Sequence, residues 1–149
     1  MVNCMPRKYL SQKEKTELKK KTYKELLRLE RIVNDVEDIN KINHFKNYFN
    51  LCETTYKVIL KRYTDNKTDY MKLDMRQVPS VMLYGGYKVD KSLLSRLFGS
   101  QKQRGNSTAK ILRDKTTHGL DEKAVEEIKN RWDELFDDMN SFLDIIRKQ

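Results

Sequence analysis

The strongest constraint on this chain is the spacing of its apolar side chains at intervals of three and four residues. Such spacing places apolar residues on one face of an α-helix. Only five glycines and two prolines occur in 149 residues, fewer than the frequent turns of an all-β fold would need. The sequence therefore predicts an all-α fold. The two clearest series are Ile42, Phe45, Phe49, Cys52, Tyr56, Ile59 and Tyr63, and Val125, Ile128, Trp132, Leu135, Met139, Phe142 and Ile146.

Capping signals place the ends of the predicted helices. Ser11 and Glu14 form a capping box, which begins a first helix that extends to about Asp38. The second helix is predicted over the first apolar series. The remaining predicted elements are a short one from Gln77 to Tyr84, a helix that Asp90 caps and Gly99 ends, a helix capped by Ser107 or Thr108, and a long last helix that Asp121 caps.

The predicted helices form one domain, because 149 residues is a typical size for a single core. We expect residues 1–149 to fold as an antiparallel helical bundle of three long and two or more short helices. Residues 1–10 are expected to form a flexible or loosely packed N-terminal tail. The apolar stripes mostly face the bundle core, and their regularity also leaves room for a dimer face.

Composition excludes several classes of protein. Charged residues make up 36% of the chain, and the longest uncharged stretch, which ends before Lys88, is far shorter than the roughly 20 apolar residues that span a bilayer. No signal peptide is visible, so a cytoplasmic protein without membrane partners is expected. The two cysteines, Cys4 and Cys52, predict neither a disulfide framework nor a metal site, and Cys52 is expected in the core.

Positive charge is concentrated between Gly86 and His118, where eight basic residues face two acidic ones. The predicted last helix has nine acidic and five basic residues, so the net charge of +9 is unevenly distributed. A basic segment of this kind attracts polyanions, chiefly nucleic acid. A solvated basic surface without a ligand is the alternative. If RNA binds here, the predicted contacts are Lys102, Arg104, Lys110 and Lys115.

The residues with the clearest chemical potential lie in the sequence Leu112-Arg113-Asp114-Lys115-Thr116-Thr117-His118-Gly119. Arginine binds phosphate oxygens through two parallel hydrogen bonds, and histidine exchanges protons near neutral pH. Arg113 and His118 together would therefore suit phosphodiester cleavage, provided that the helix ends before Gly119. The other histidine, His44, is expected at the surface or at its boundary. No Walker loop, GxGxxG, HExxH or GxSxG motif is present.

Arg113 and His118, with a polar residue after the arginine and a helix after the histidine, resemble the R-x4-6-H motif of the HEPN superfamily. The resemblance covers about the C-terminal two fifths of the chain. It implies a HEPN-like helical fold and a homodimer whose paired motifs form one composite active site. It also implies an endoribonuclease without metal or other cofactor, which leaves 2′,3′-cyclic phosphate and 5′-hydroxyl ends. Arg113 would hold the scissile phosphate, His118 would transfer protons, and Asp114 would orient Arg113 or the partner's histidine.

The resemblance further implies a toxin or an antiphage defence effector, with an antitoxin or regulatory protein as a possible partner. In one toxin branch a tyrosine two residues after the histidine is modified, but this chain has Leu120 there, which argues against that regulation. Two other functions remain open. The chain could bind nucleic acid without cleaving it, or it could be a helical interaction protein in which Arg113 and His118 only form a salt-bridged helix end.

Overall fold

The computed structural model describes residues 10–30, 38–63, 73–117, 119 and 121–148. These residues form seven helices and no β-strand, which confirms the all-α prediction. In chain order the helices are α1 (Gln12–Glu30), α2 (Asp38–Tyr63), α3 (Val78–Tyr84), α4 (Lys91–Phe98), α5 (Ala109–Lys115), α6 (Glu122–Asn130) and α7 (Trp132–Arg147).

Helix α2 is the centre of the packing, since it contacts α1, α3, α5, α6 and α7. Most of its predicted apolar stripe is buried, with Phe45, Phe49 and Cys52 fully enclosed. Phe142 of α7 and Leu94 of α4 pack in the same core. Burial raises the pKa of the Cys52 thiol, so Cys52 stays protonated as a small core side chain. A central helix of this kind can present its other faces to several neighbours.

Several predicted helix ends are confirmed by hydrogen bonds. Ser11 and Glu14 exchange backbone-to-side-chain bonds of 3.1 Å, the capping box expected for α1. Asp121 accepts from the Ala124 amide at the start of α6. Thr108 is the N-cap of α5: its hydroxyl accepts from the Ile111 amide at 3.2 Å and donates to the Gly99 carbonyl at 2.7 Å. The start of α5 is thereby fixed to the end of α4.

Two sequence expectations about helix ends were wrong, and a third was confirmed only in its position. The long last helix is interrupted at Arg131, whose φ of −109° and ψ of 23° leave the helical region. The Arg131 side chain donates to the Ser107 carbonyl at 2.8 Å, which draws this residue toward the loop before α5. The residue expected to end the first helix, Asp38, instead begins α2, and Ile39 is 59% exposed. Asp90 occupies the N-cap of α4, but its side chain accepts no capping bond.

The N-terminal tail falls largely outside the described residues, as does the predicted helical stretch 31–37. Leu10, assigned to that tail, is 6% exposed and belongs to the core cluster. The neighbouring residues Asp137 and Asp138 of α7 have different surroundings. Asp137 is exposed, whereas Asp138 accepts two hydrogen bonds from Arg96 of α4 at 3.0 and 3.1 Å. This ion pair joins α4 to α7.

Candidate functional site

Arg113 lies in the last turn of α5, where residues of α2 hold its guanidinium. Nη1 and Nη2 donate to the two carboxylate oxygens of Glu53 at 2.9 and 3.0 Å. Nη1 also donates to the side-chain oxygen of Asn50 at 2.7 Å. Two-point pairing of arginine with a carboxylate is strong and directional. Because the Arg113 side chain is only 15% exposed, the guanidinium has one fixed orientation relative to α2.

Two further contacts complete the surroundings of Arg113. Nε donates to Asp114 at 2.8 Å, and the guanidinium carbon lies 4.9 Å from the centre of the Phe49 ring, a cation–π distance. Four of the five guanidinium N–H groups thus have partners among the described residues, and one Nη2 hydrogen does not.

The charges at this pair are stable at neutral pH. Burial opposes ionisation of Glu53, but the hydrogen bonds and charge of Arg113 outweigh it, so the pKa of Glu53 lies below its usual value. Burial likewise opposes the charge of Arg113, yet the hydrogen bonds that Arg113 donates to Glu53 and Asp114 raise the pKa of Arg113. The site therefore pairs one guanidinium with two carboxylates, so the charge of Arg113 is fully balanced by its direct partners.

The chain leaves the helical path directly after α5, as catalysis by the motif would need. The Thr116 and Thr117 hydroxyls donate to the Arg113 carbonyl at 2.9 and 2.8 Å, and Lys46 of α2 donates to the Thr116 carbonyl at 3.2 Å. Gly119 then takes φ +145°, a conformation that favours glycine. His118 itself lies outside the described residues, so its prediction stays a prediction.

Sequence reasoning missed the residues of α2 that hold Arg113. Asn50 and Glu53 are 63 and 60 residues away in the chain. A signal was present: Lys46, Asn50 and Glu53 follow helical spacing, a polar line beside the apolar stripe of α2. A polar line on a buried helix marks a face that meets polar partners. The sequence offers no means of choosing Arg113 as that partner.

The four predicted RNA contacts fall into two groups. Lys110 and Lys115 lie on α5 itself, one turn before and two residues after Arg113. Lys102 and Arg104 are exposed in the turn before α5, at its opposite end, so the helix of about 10 Å separates them from Arg113. None of the four forms an ion pair with a residue that the structure describes. Of these four, Lys110 is best placed to act with Arg113, because side chains three residues apart on a helix are neighbours and side chains two apart are not.

A cavity of about 720 Å³ opens at that opposite end, between α4 and the loop before α5. Arg96 and Arg131 line it, but both are already held by carboxylates. Arg96 pairs with Asp138, and Arg131 pairs with Glu134 at 2.9 Å. These arginines therefore stabilise the packing of α4, α6 and α7, and we assign no ligand to this cavity.

His44 is buried, contrary to the expectation of a surface position. It is 4% exposed, and its ring stacks on Phe136 at 5.2 Å, with Tyr48 and Trp132 beside it. Neither ring nitrogen has a hydrogen-bond partner among the residues described. The helix pattern placed His44 next to the apolar stripe, and only the packing of α7 against α2 encloses it.

The stability of the protein is expected to fall below about pH 6.5 because of His44. Burial lowers the pKa of His44, so the folded protein keeps it neutral while the unfolded chain binds a proton. The contribution of neutral His44 to stability is therefore complete above the pKa that His44 has in the unfolded chain. It is lost as the pH falls toward the lower pKa of His44 in the folded protein. The free energy of unfolding at several pH values should show this loss in wild type, and less of it in His44→Phe. An equal pH dependence in both proteins would contradict the assignment.

In the part of the chain that the structure covers, no helix is long and apolar enough to cross a membrane. No three His, Cys, Asp or Glu side chains of the same residues come together as a metal site. Comparison with protein-family models, curated proteins and solved structures finds no match to this chain. Inference about function therefore depends on the motif and on the geometry around Arg113.

Proposed function

We propose that this chain is a metal-independent endoribonuclease of the HEPN type. The observation that carries the proposal is the fixed guanidinium of Arg113, which Glu53 and Asn50 hold at the end of α5, five residues before His118 in the sequence. A preorganised cation beside a proton-transferring group is what phosphodiester cleavage requires. The family resemblance and the concentration of basic residues on the same segment support the same reaction class.

In this reaction the 2′-oxygen of a ribose attacks the adjacent phosphorus and the bond to the 5′-oxygen breaks. The remaining Nη2 hydrogen of Arg113 would bond a phosphate oxygen and offset the charge that develops there. His118 would accept the proton of the 2′-hydroxyl or give one to the leaving 5′-oxygen. Asp114, already bonded to Arg113, would orient the guanidinium or the histidine of a second copy.

Charge near the site favours a polyanion. Glu53 and Asp114 are the acidic groups in contact with Arg113. Lys57 pairs with Glu53, Lys46 reaches the end of α5, and Lys110 and Lys115 lie on α5 itself. The bases thus outnumber the acids around the guanidinium, so a phosphate backbone is attracted despite the carboxylates. We further propose a homodimer with a composite site and a role as toxin or defence effector, held in check by a partner protein.

The alternative function is a non-catalytic helical module that binds nucleic acid or protein. The extensive pairing of Arg113 favours it, because most of the guanidinium is already used to join α5 to α2. In that case Arg113 is a structural residue, and any RNA binding comes from exposed lysines.

Cleavage of single-stranded RNA in excess EDTA tests the proposal. The wild-type protein is expected to produce cyclic phosphate and 5′-hydroxyl ends, and to leave DNA of the same sequence intact because DNA lacks the attacking 2′-hydroxyl. Absence of cleavage by the folded protein would favour the alternative, whereas cleavage with other product ends would refute the proposed reaction. Variants at Arg113 and His118 locate the activity and are considered in the Discussion.

A further inference from the structure

A second cavity, of about 200 Å³, lies directly beside the Arg113 site. It is bounded by α2, the start of α5, the chain after α4 and the chain before α3. Glu53 lines this cavity and is the same carboxylate that holds Arg113. Lys110, one helical turn before Arg113, lines it as well. A ligand that fills the cavity would therefore lie next to a group bound at the guanidinium.

One side of this cavity is apolar and aromatic, and the other is polar. Tyr56 stacks on Phe98 with ring centres 3.9 Å apart and planes 8° from parallel, while Leu60 and Met75 complete the apolar surface. Burial, aided by the charge of Glu53, raises the pKa of Tyr56, so its hydroxyl stays protonated. A small planar group with polar edges fits such a surface.

The rim of the cavity is positive. The ammonium nitrogen of Lys57 lies 3.4 Å from a carboxylate oxygen of Glu53. Lys110 forms no ion pair with any residue that the structure describes. The single carboxylate here is already balanced by Arg113. Two ammonium groups beside an apolar wall favour a ligand that combines a flat ring with negative charge, and the neighbouring guanidinium suits a phosphate. A nucleotide has this combination of groups.

We propose that this cavity receives an unpaired base of RNA, from the nucleotide next to the phosphate at Arg113. The proposal rests on the function proposed above and specifies its substrate. A base in a duplex is stacked and paired and cannot enter a side cavity, whereas an unpaired base can be turned outward and packed on aromatic side chains. The substrate is therefore single-stranded RNA or an RNA loop, with the base held by Tyr56 and Met75 and the backbone by Lys57 and Lys110.

The test measures binding of single strands that cannot be cleaved. The probe is a 2′-O-methyl RNA strand, compared with an abasic strand of the same length and charge, by fluorescence anisotropy. Wild type is expected to bind the abasic strand about five- to a hundredfold more weakly, as for loss of a stacked base. Met75→Trp, which fills the cavity, is expected to bind both strands with similar affinity. Ser100→Trp introduces the same ring at an exposed position of the rim, where it does not threaten the core.

The matched control is Leu83→Trp, which places a tryptophan on an exposed site of α3 outside the cavity and should bind as wild type does. The proposal is overturned if wild type binds neither strand, or if both cavity variants keep its preference for bases. Cleavage measured on unmodified RNA separates the two proposals. Base-dependent binding that the cavity variants abolish, without cleavage, would support the cavity and refute the nuclease. Cleavage without base preference would do the reverse.

Discussion

RNA cleavage in EDTA by His118→Ala is expected to fall by at least about a hundredfold, because a positioned acid–base group contributes about 10²- to 10⁴-fold. Binding of RNA should be kept, since the lysines around Arg113 are unchanged. Arg113→Lys is also expected to lose cleavage. The lysine ammonium cannot form the two-point bond to Glu53 that fixes the orientation of the Arg113 guanidinium. The measurement is the initial rate of appearance of cyclic phosphate ends.

The other histidine provides the matched control for this prediction. His44 is buried between α2 and α7, and we give it no part in the reaction. His44→Phe preserves the stacked ring and should cleave RNA as wild type does. If wild type, His118→Ala and Arg113→Lys cleave equally well, the motif is not the active site. If His44→Phe folds normally but does not cleave RNA, the effect is not specific to His118. That result would contradict the assignment of proton transfer to His118.

Glu53→Ala is expected to lower both the stability and the activity of the protein. Removal of the carboxylate leaves the guanidinium of Arg113 partly buried without its main partner. We expect the free energy of unfolding to fall by about 2 kcal/mol, between the values for exposed and for fully buried ion pairs. Cleavage should fall more than the unfolded fraction explains, because Arg113 loses its fixed orientation. Chemical denaturation and cleavage rates provide the two readouts.

A double-mutant cycle isolates this interaction. Because Glu53 and Arg113 are direct partners, the combined variant Glu53→Ala/Arg113→Ala should cost less stability than the two single losses together. Asp74→Ala is the matched control: its partner Arg76 is on the surface, so little change is expected. Additive losses would show that the pair is not coupled. A Glu53→Ala protein that cleaves RNA normally would show that Glu53 only joins the two helices.

Local features of the chain were predicted well because their causes are local. Apolar spacing identified the buried faces of α2 and α7. Helix starts are fixed by side chains that accept hydrogen bonds from the amides three residues later, those of Ser11, Thr108 and Asp121. The motif of Arg113 was likewise visible in the sequence. Each of these features depends only on residues within a turn or two of helix.

The tertiary structure alone decided how these elements meet. Glu53 and Asn50 reach Arg113 across 60 and 63 residues, and no local pattern states which arginine a polar face of α2 will bind. The break at Arg131 also depends on a distant partner, the Ser107 carbonyl, and His44 is buried only because α7 covers it. The sequence thus determined which stretches are helical and which faces are buried, and it contains the motif on which the proposed chemistry depends. Packing determined the partners of Arg113 and created the cavity beside it, because both depend on contacts between separate helices.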